Sequence, residues 1–162
     1  MNKLVSGALL LAALPLLAAQ APAEKKALER VLDADFEYIV KAKWKGGGFA
    51  GKPEKLRIEL RVKNAGKETV RLEFSNSGRV CGVIHDTDDK PVYRFPEVTA
   101  QVVGSEEFLP GKERLFVIEI PSKELRKLTP GTAAVAVWLC GYGELRHWAE
   151  FYAPYSLQEA EE

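Results

Sequence analysis

The sequence predicts an all-β domain: an immunoglobulin-like antiparallel β-sandwich of seven to nine strands, preceded by a signal peptide. Three observations lead there. From Leu56 to Phe74 apolar and charged residues alternate, with Leu56, Ile58, Leu60 and Val62 facing one way and Arg57, Glu59, Arg61 and Lys63 the other. That period of two belongs to a strand with one buried and one wet face. Short runs of this kind recur along the chain, separated by Gly, Pro, Asn and Asp clusters. Ahead of them, Lys3 and the apolar run Leu4–Ala19 lead into Ala19-Gln20-Ala21, the small-x-small pattern read by signal peptidase.

At 162 residues the chain has room for one domain. Cleavage is expected after Ala21, since an apolar run this short, broken by Pro15, is a poor membrane anchor. The expected organisation is residues 1–21 as signal peptide, 22–34 as a flexible N-terminal segment, 35–157 as the sandwich and 158–162 as an acidic tail. The product is then exported, periplasmic or extracellular, with no membrane span after leader cleavage. Removing the leader takes only Lys3 from an equal count of 23 basic and 23 acidic side chains, so the remainder is near neutral. Such a balance provides no global field for nucleic acid or anionic lipid.

In order, Ala27–Leu32 has apolar residues at helical spacing but is too short for a stable helix. Phe36, Tyr38, Val40, Ala42 and Trp44 alternate as a first strand, ending at Gly46-Gly47-Gly48, and Gly46–Pro53 reads as a loop. The stretch Leu56–Phe74 then reads as two strands joined through Asn64-Ala65-Gly66-Lys67 as a hairpin. Arg79–His85 is denser in apolar residues, hence a more buried strand. Asp86–Lys90 is a polar turn and Pro91–Phe95 an extended run. Pro96–Phe108 alternates weakly, and Gly104-Ser105-Glu106-Glu107 breaks the pattern. Leu109-Pro110-Gly111-Lys112 is a turn, followed by a strand over Arg114–Ile120. Ser122–Leu128 reads as a short helical turn capped by Ser122, with Leu125 and Leu128 inward. Thr132–Cys140 and Leu145–Tyr152 complete the strands.

The two cysteines, Cys81 and Cys140, are an even pair in a chain expected to be exported, which favours a disulfide. It would close a loop of about sixty residues and contribute roughly 4 kcal/mol. Two buried thiols acting as small hydrophobes are the alternative, because strand register decides whether the pair can meet. His85 lies beside Asp86, Asp88 and Asp89, a combination that suits a cation or an acid–base pair. The spaced Asp-x-Asp-x-Asp-Gly loop of a calcium site is absent, and Asp is a preferred turn residue, so a plain turn is the favoured reading. His147 and the aromatics Trp44, Trp138, Trp148, Tyr142, Tyr152 and Tyr155 are read as packing and cross-strand pairs. No nucleophile elbow, phosphate-binding Gly loop or C-x-x-C pair is present. The expectation is a protein without catalytic, cofactor-binding or metal-binding residues.

The order of motifs resembles a known family. Val62-Lys63-Asn64-Ala65-Gly66 is followed by Val70–Ser75, Ser77-Gly78-Arg79, the Asp88-Asp89 turn and Val92-Tyr93-Arg94-Phe95. Leu109-Pro110-Gly111-Lys112 and Leu128-Thr129-Pro130-Gly131 come later. Together they resemble the BsuPI family, named for an intracellular proteinase inhibitor of a bacillus. Arg79 stands where that pattern usually has Gln, and Cys81-Gly82-Val83 where it often has an aromatic-acidic-aromatic triplet. The resemblance implies a non-enzymatic protein-binding module whose partner is a protease. A rigid sandwich can present an exposed loop to such a partner, and Gly46–Pro53 and Pro96–Pro110 are the candidate loops. The alternative is a structural or assembly domain of the cell envelope that pairs through a sheet edge or face. A metal-binding domain using His85 and the acidic turn is the third option.

Overall fold

A computed structural model of the chain describes residues 35–46, 52–97 and 100–157. The expected signal peptide, the segment 22–34 including Ala27–Leu32, the tail 158–162, residues 47–51 of the Gly-rich loop and residues 98–99 lie outside the described residues.

Strand β1 (Phe36–Lys45) begins the sandwich. It is followed by β2 (Lys55–Asn64), β3 (Val70–Phe74), β4 (Val80–His85), β5 (Pro91–Phe95), β6 (Gly104–Phe108), β7 (Glu113–Pro121), β8 (Gly131–Leu139) and β9 (His147–Ala153). They form three antiparallel sheets, in the orders β1-β2-β7, β3-β6 and β5-β4-β8-β9. The alternation read in β2 is realised in full: Leu56, Ile58, Leu60 and Val62 are completely buried. Each such side chain removes enough apolar surface to contribute about 1.5–3 kcal/mol. They close onto Ile84, Val135, Val137 and Leu139 of the four-stranded sheet and Leu72, Phe74 and Phe108 of the small sheet, as one core.

The structure corrects three sequence expectations. First, β2 and β3 are not a hairpin: β2 pairs with β1 and β7, whereas β3 pairs with β6. The reason is Asn64, which is fully buried. Its side-chain Nδ2 donates to the carbonyls of Glu68 and Phe108, both at 2.7 Å, and its Oδ1 accepts from Gly66 N at 3.0 Å. Its backbone N–H donates to Lys112 O and its own carbonyl accepts from Gly111 N. A residue bonded to two separate turns redirects the chain to another sheet instead of folding it back. Second, Gly104–Phe108 is a strand despite its two glutamates. Phe108 is buried, while Glu106 is held by Arg79 and Arg114. Third, Pro121, not Ser122, occupies the N-cap of the 3-10 turn Ser122–Leu125, and no side chain caps it. Leu125 and Leu128 are fully buried, as their spacing implies.

At the seam between the two larger sheets, Tyr38 of β1 stacks on His147 of β9, ring centroids 4.0 Å apart. The Tyr38 hydroxyl and His147 Nε2 are both buried without a hydrogen-bond partner among the described residues. Burial pushes the Tyr38 phenol up to about 12 and holds the His147 imidazole below its ordinary 6.5. The unfolded chain therefore takes up the His147 proton more readily than the folded one. Stability from this residue is complete above pH 6.5 and falls as the pH drops below it towards the lower folded value. Thermal melts across this range should show the decline, and His147→Phe should flatten it. An unchanged profile in the variant would show that other groups set the slope.

Candidate interaction site

The Pro96–Pro110 segment, expected as one contact loop, is divided by the structure. Its second half is β6, and residues 100–103 project beyond the sheet. Ala100 fixes the base of the projection. Ser77 N donates to Ala100 O at 2.9 Å, and Ala100 N donates to Ser77 Oγ at 3.1 Å. Val102 N donates to the same Ala100 carbonyl at 2.9 Å, tightening the turn. Beyond this clamp Val102 is 55% and Val103 81% exposed. Two adjacent β-branched apolar residues on a hydrogen-bonded turn leave water only if something else covers them.

Arg79 braces the other side of the base. Its Nη1 donates to Asn76 O at 2.8 Å, its Nε pairs with Glu106 at 3.3 Å, and its guanidinium lies 4.7 Å from the Phe74 ring centre. Glu106 also pairs with Arg114 of β7 at 2.9 Å. At Gly104, which opens β6, a β-carbon would meet Arg79 Nη2 and push the guanidinium from its present place. Arg79 is thus the side chain that joins the β3–β4 turn to β6.

Below Arg79 lies the disulfide. Cys81 of β4 and Cys140, just past β8, are bonded, with Cα atoms 5.0 Å apart, and Cys140 N donates to Arg79 O at 3.0 Å. The register that places Cys81 beside Trp138 brings Cys140 within reach. Tyr142, in the turn that follows, is buried; its hydroxyl donates to Glu73 O at 3.0 Å and accepts from Glu73 N at 3.1 Å. The apolar surroundings raise its phenol above the ordinary value. The disulfide joins β4 to the end of β8 within the four-stranded sheet, and Tyr142 ties that sheet to β3, the partner of β6.

Beside this base runs β7, which among the described strands is hydrogen-bonded to β2 alone and forms the edge of its sheet. Leu115 and Val117 are exposed on its outer face, and a groove of about 340 Å³ separates Phe116 and Ile118 from Arg79 and Val80. The surface so assembled is a projecting apolar turn, a braced arginine and an open strand edge.

The sequence matches the BsuPI family, described as intracellular proteinase inhibitor, over residues 47–143. The chain belongs to the BsuPI family. The matched region contains residues 100–103, Arg79 and both cysteines. A comparison with curated proteins finds no match. Among solved structures, the chain is similar to part of a β-glucosidase involved in saponin metabolism from intestinal bacteria, at 16% identity and TM-score 0.43, covering 74% of this chain and 16% of that one. β-Glucosidase 3B from Thermotoga neapolitana gives 18% identity and TM-score 0.41, covering 74% and 17%. A Listeria innocua β-glucosidase gives 16% identity and TM-score 0.43, covering 74% and 16%. This chain therefore spans about a sixth of those enzymes, and their activity is not carried over to it.

The other candidate residues fall elsewhere. In the β4–β5 turn, Asp86 Oδ1 accepts the N–H groups of Asp88 and Lys90, both at 2.9 Å, so it serves the turn itself. His85 Nδ1 lies 3.0 Å from Asp89 Oδ1 and its ring packs against Trp148. Among the described residues no group of three His, Cys, Asp or Glu side chains is placed to hold a metal ion. Sequence reasoning missed the part played by Arg79 and the exposure of Val102 and Val103. The available signal was an apolar pair next to Gly104, outside any clear alternation.

Proposed function

We propose that this BsuPI-family chain is an exported, non-enzymatic protein-binding module that inhibits a protease, with residues 100–103 as the segment offered to the protease cleft. The observation that carries this reading is the projecting Val102-Val103 turn, clamped at Ala100 by Ser77. A protease cleft binds an extended chain through backbone hydrogen bonds and apolar pockets. A segment already held in shape loses little freedom on entering it. Export is supported by the leader-like N-terminal sequence and by the disulfide, which is typical of oxidising compartments. Among the described residues no helix is long and apolar enough to cross a membrane.

The purified domain is expected to inhibit a subtilisin-like protease at micromolar concentration or below. The double variant Val102→Asp, Val103→Asp should weaken inhibition about thirtyfold or more, the scale of an interface hot spot. Because both side chains are exposed, its melting temperature should stay within about 2 °C of the parent. No inhibition by the parent at micromolar concentration removes the inhibitor reading. Equal inhibition by parent and variant moves the contact elsewhere. The second reading, an assembly domain of the cell envelope, is favoured by the open β7 edge with exposed Leu115 and Val117, which suits strand pairing with a structural partner.

A further inference from the structure

Among the described residues, the outer face of the β1-β2-β7 sheet carries most of the ion pairs, and their distribution is uneven. On β2 and β7 the charges are matched: Lys55 with Glu119 at 2.6 Å, Arg57 with Glu59 at 2.9 Å, Arg61 with Glu113 at 3.2 Å. Lys63 pairs with Glu37 at 2.8 Å at the far end of β1. The carboxyls of Glu59 and Glu119 are held below their usual range, first by hydrogen bonds from Arg57 and Lys55 respectively. Lys41, Lys43 and Lys45, at successive outward positions of β1, form no salt bridge among the described residues and are all exposed. Register makes their situation worse. Lys43 lies opposite Arg57 and Lys45 opposite Lys55; only Lys41 faces an acid, Glu59, which Arg57 already occupies. Like charges directly across a sheet are destabilising. Lysines on an edge strand also discourage aggregation, and β1 is such an edge, paired with β2 and touching β9 through Trp44 Nε1 donating to Tyr152 O at 2.7 Å.

We propose that Lys41, Lys43 and Lys45, with Arg57, form a binding surface for an extended acidic protein segment. A hollow of about 180 Å³ lies among Lys41, Lys43, Lys45, Arg57 and Glu59. Outward side chains of one strand repeat every 6.6–6.8 Å or about that distance. A second extended chain has the same repeat, so carboxylates at alternate positions meet the three ammonium groups one for one. A nucleic acid fits less well. The near-neutral chain supplies no long-range attraction, and the exposed Trp148 and Tyr152, which bases would stack on, belong to β9 in the other sheet. The surface is separate from residues 100–103 and does not depend on protease inhibition.

The test uses a fluorescently labelled peptide of alternating Glu and Thr, and a peptide of the same composition with its glutamates in one block. Fluorescence anisotropy with the purified protein at low salt should show binding of the alternating peptide, weaker binding of the blocked one, and loss at about 1 M salt, where screening is nearly complete. Lys41→Gln, Lys43→Gln and Lys45→Gln together should reduce affinity about tenfold or more. Their melting temperature should not fall, since the substitutions relieve repulsion. Undiminished binding by the triple variant overturns the proposal. So does the absence of peptide binding, which leaves the lysines a role in edge protection only. Retention by phosphatidylglycerol vesicles without peptide binding overturns it in favour of a lipid surface.

Discussion

Replacing Cys81 and Cys140 by alanine is expected to lower the free energy of unfolding by about 4 kcal/mol, the entropic value for a loop closed across a separation of 59 residues. Urea titration should show it as a midpoint about 2 M lower, taking a slope typical of small domains. The effect has a functional side. Cys140 N is bonded to Arg79 O, and Arg79 supports the base of the projecting turn. Loosening the bond between β4 and the end of β8 should therefore weaken partner binding under conditions where the variant is still folded. A midpoint unchanged by the double substitution, or by reductant on the parent protein, would show that the strands are held without it.

Substituting Asn64 should be about as damaging, although the residue carries no charge. Asn64→Ala removes two donated hydrogen bonds and one accepted one at a fully buried position. The carbonyls of Glu68 and Phe108 lose their Asn64 donor, at a cost of about 3 kcal/mol. Asn64→Asp is the sharper test. It keeps the shape and the acceptor for Gly66 N but directs a carboxylate oxygen at two carbonyls. Buried charge without a donor should make it the worse variant at neutral pH, with a partial recovery in acid as the carboxyl protonates. If Asp is tolerated better than Ala at neutral pH, the bonding assigned to the amide is wrong.

These two sites show what the sequence disclosed and what it withheld. The alternation in β2 marks its buried row without error, because a period of two has one physical reading when one face is wet. The local pattern around Asn64 is that of a hairpin turn. The bonds that overrule it come from Phe108 and Lys112, distant in sequence, and no local pattern contains them. β6 was obscured for a similar reason. Glu106 becomes compatible with a strand through Arg79 and Arg114, which meet it only once β6 is placed in the folded chain. The cysteines were visible as a pair, but their bond depended on the register of β4 with β8. Residues 100–103 sit within a loop singled out from the sequence, yet the exposure of Val102 and Val103 follows from the Ser77 clamp, which is tertiary. Gly82 is another case. It looks like a flexible residue in a strand, whereas a β-carbon there would strike the Phe95 ring and approach Ala136 O at 2.7 Å. It is a packing requirement of β4 between β5 and β8.

The central claim is that a rigid sandwich offers residues 100–103 to a protease. Hydrogen–deuterium exchange of the domain alone and with an excess of a subtilisin-like protease, inactivated at its nucleophile so that the chain stays intact, tests it most directly. The account predicts slower exchange at residues 100–103 and in the Ser77–Arg79 base, with the outer face of β1 unchanged. Protection confined to the β1 lysines or to the β8–β9 turn, or no protection anywhere, would contradict it.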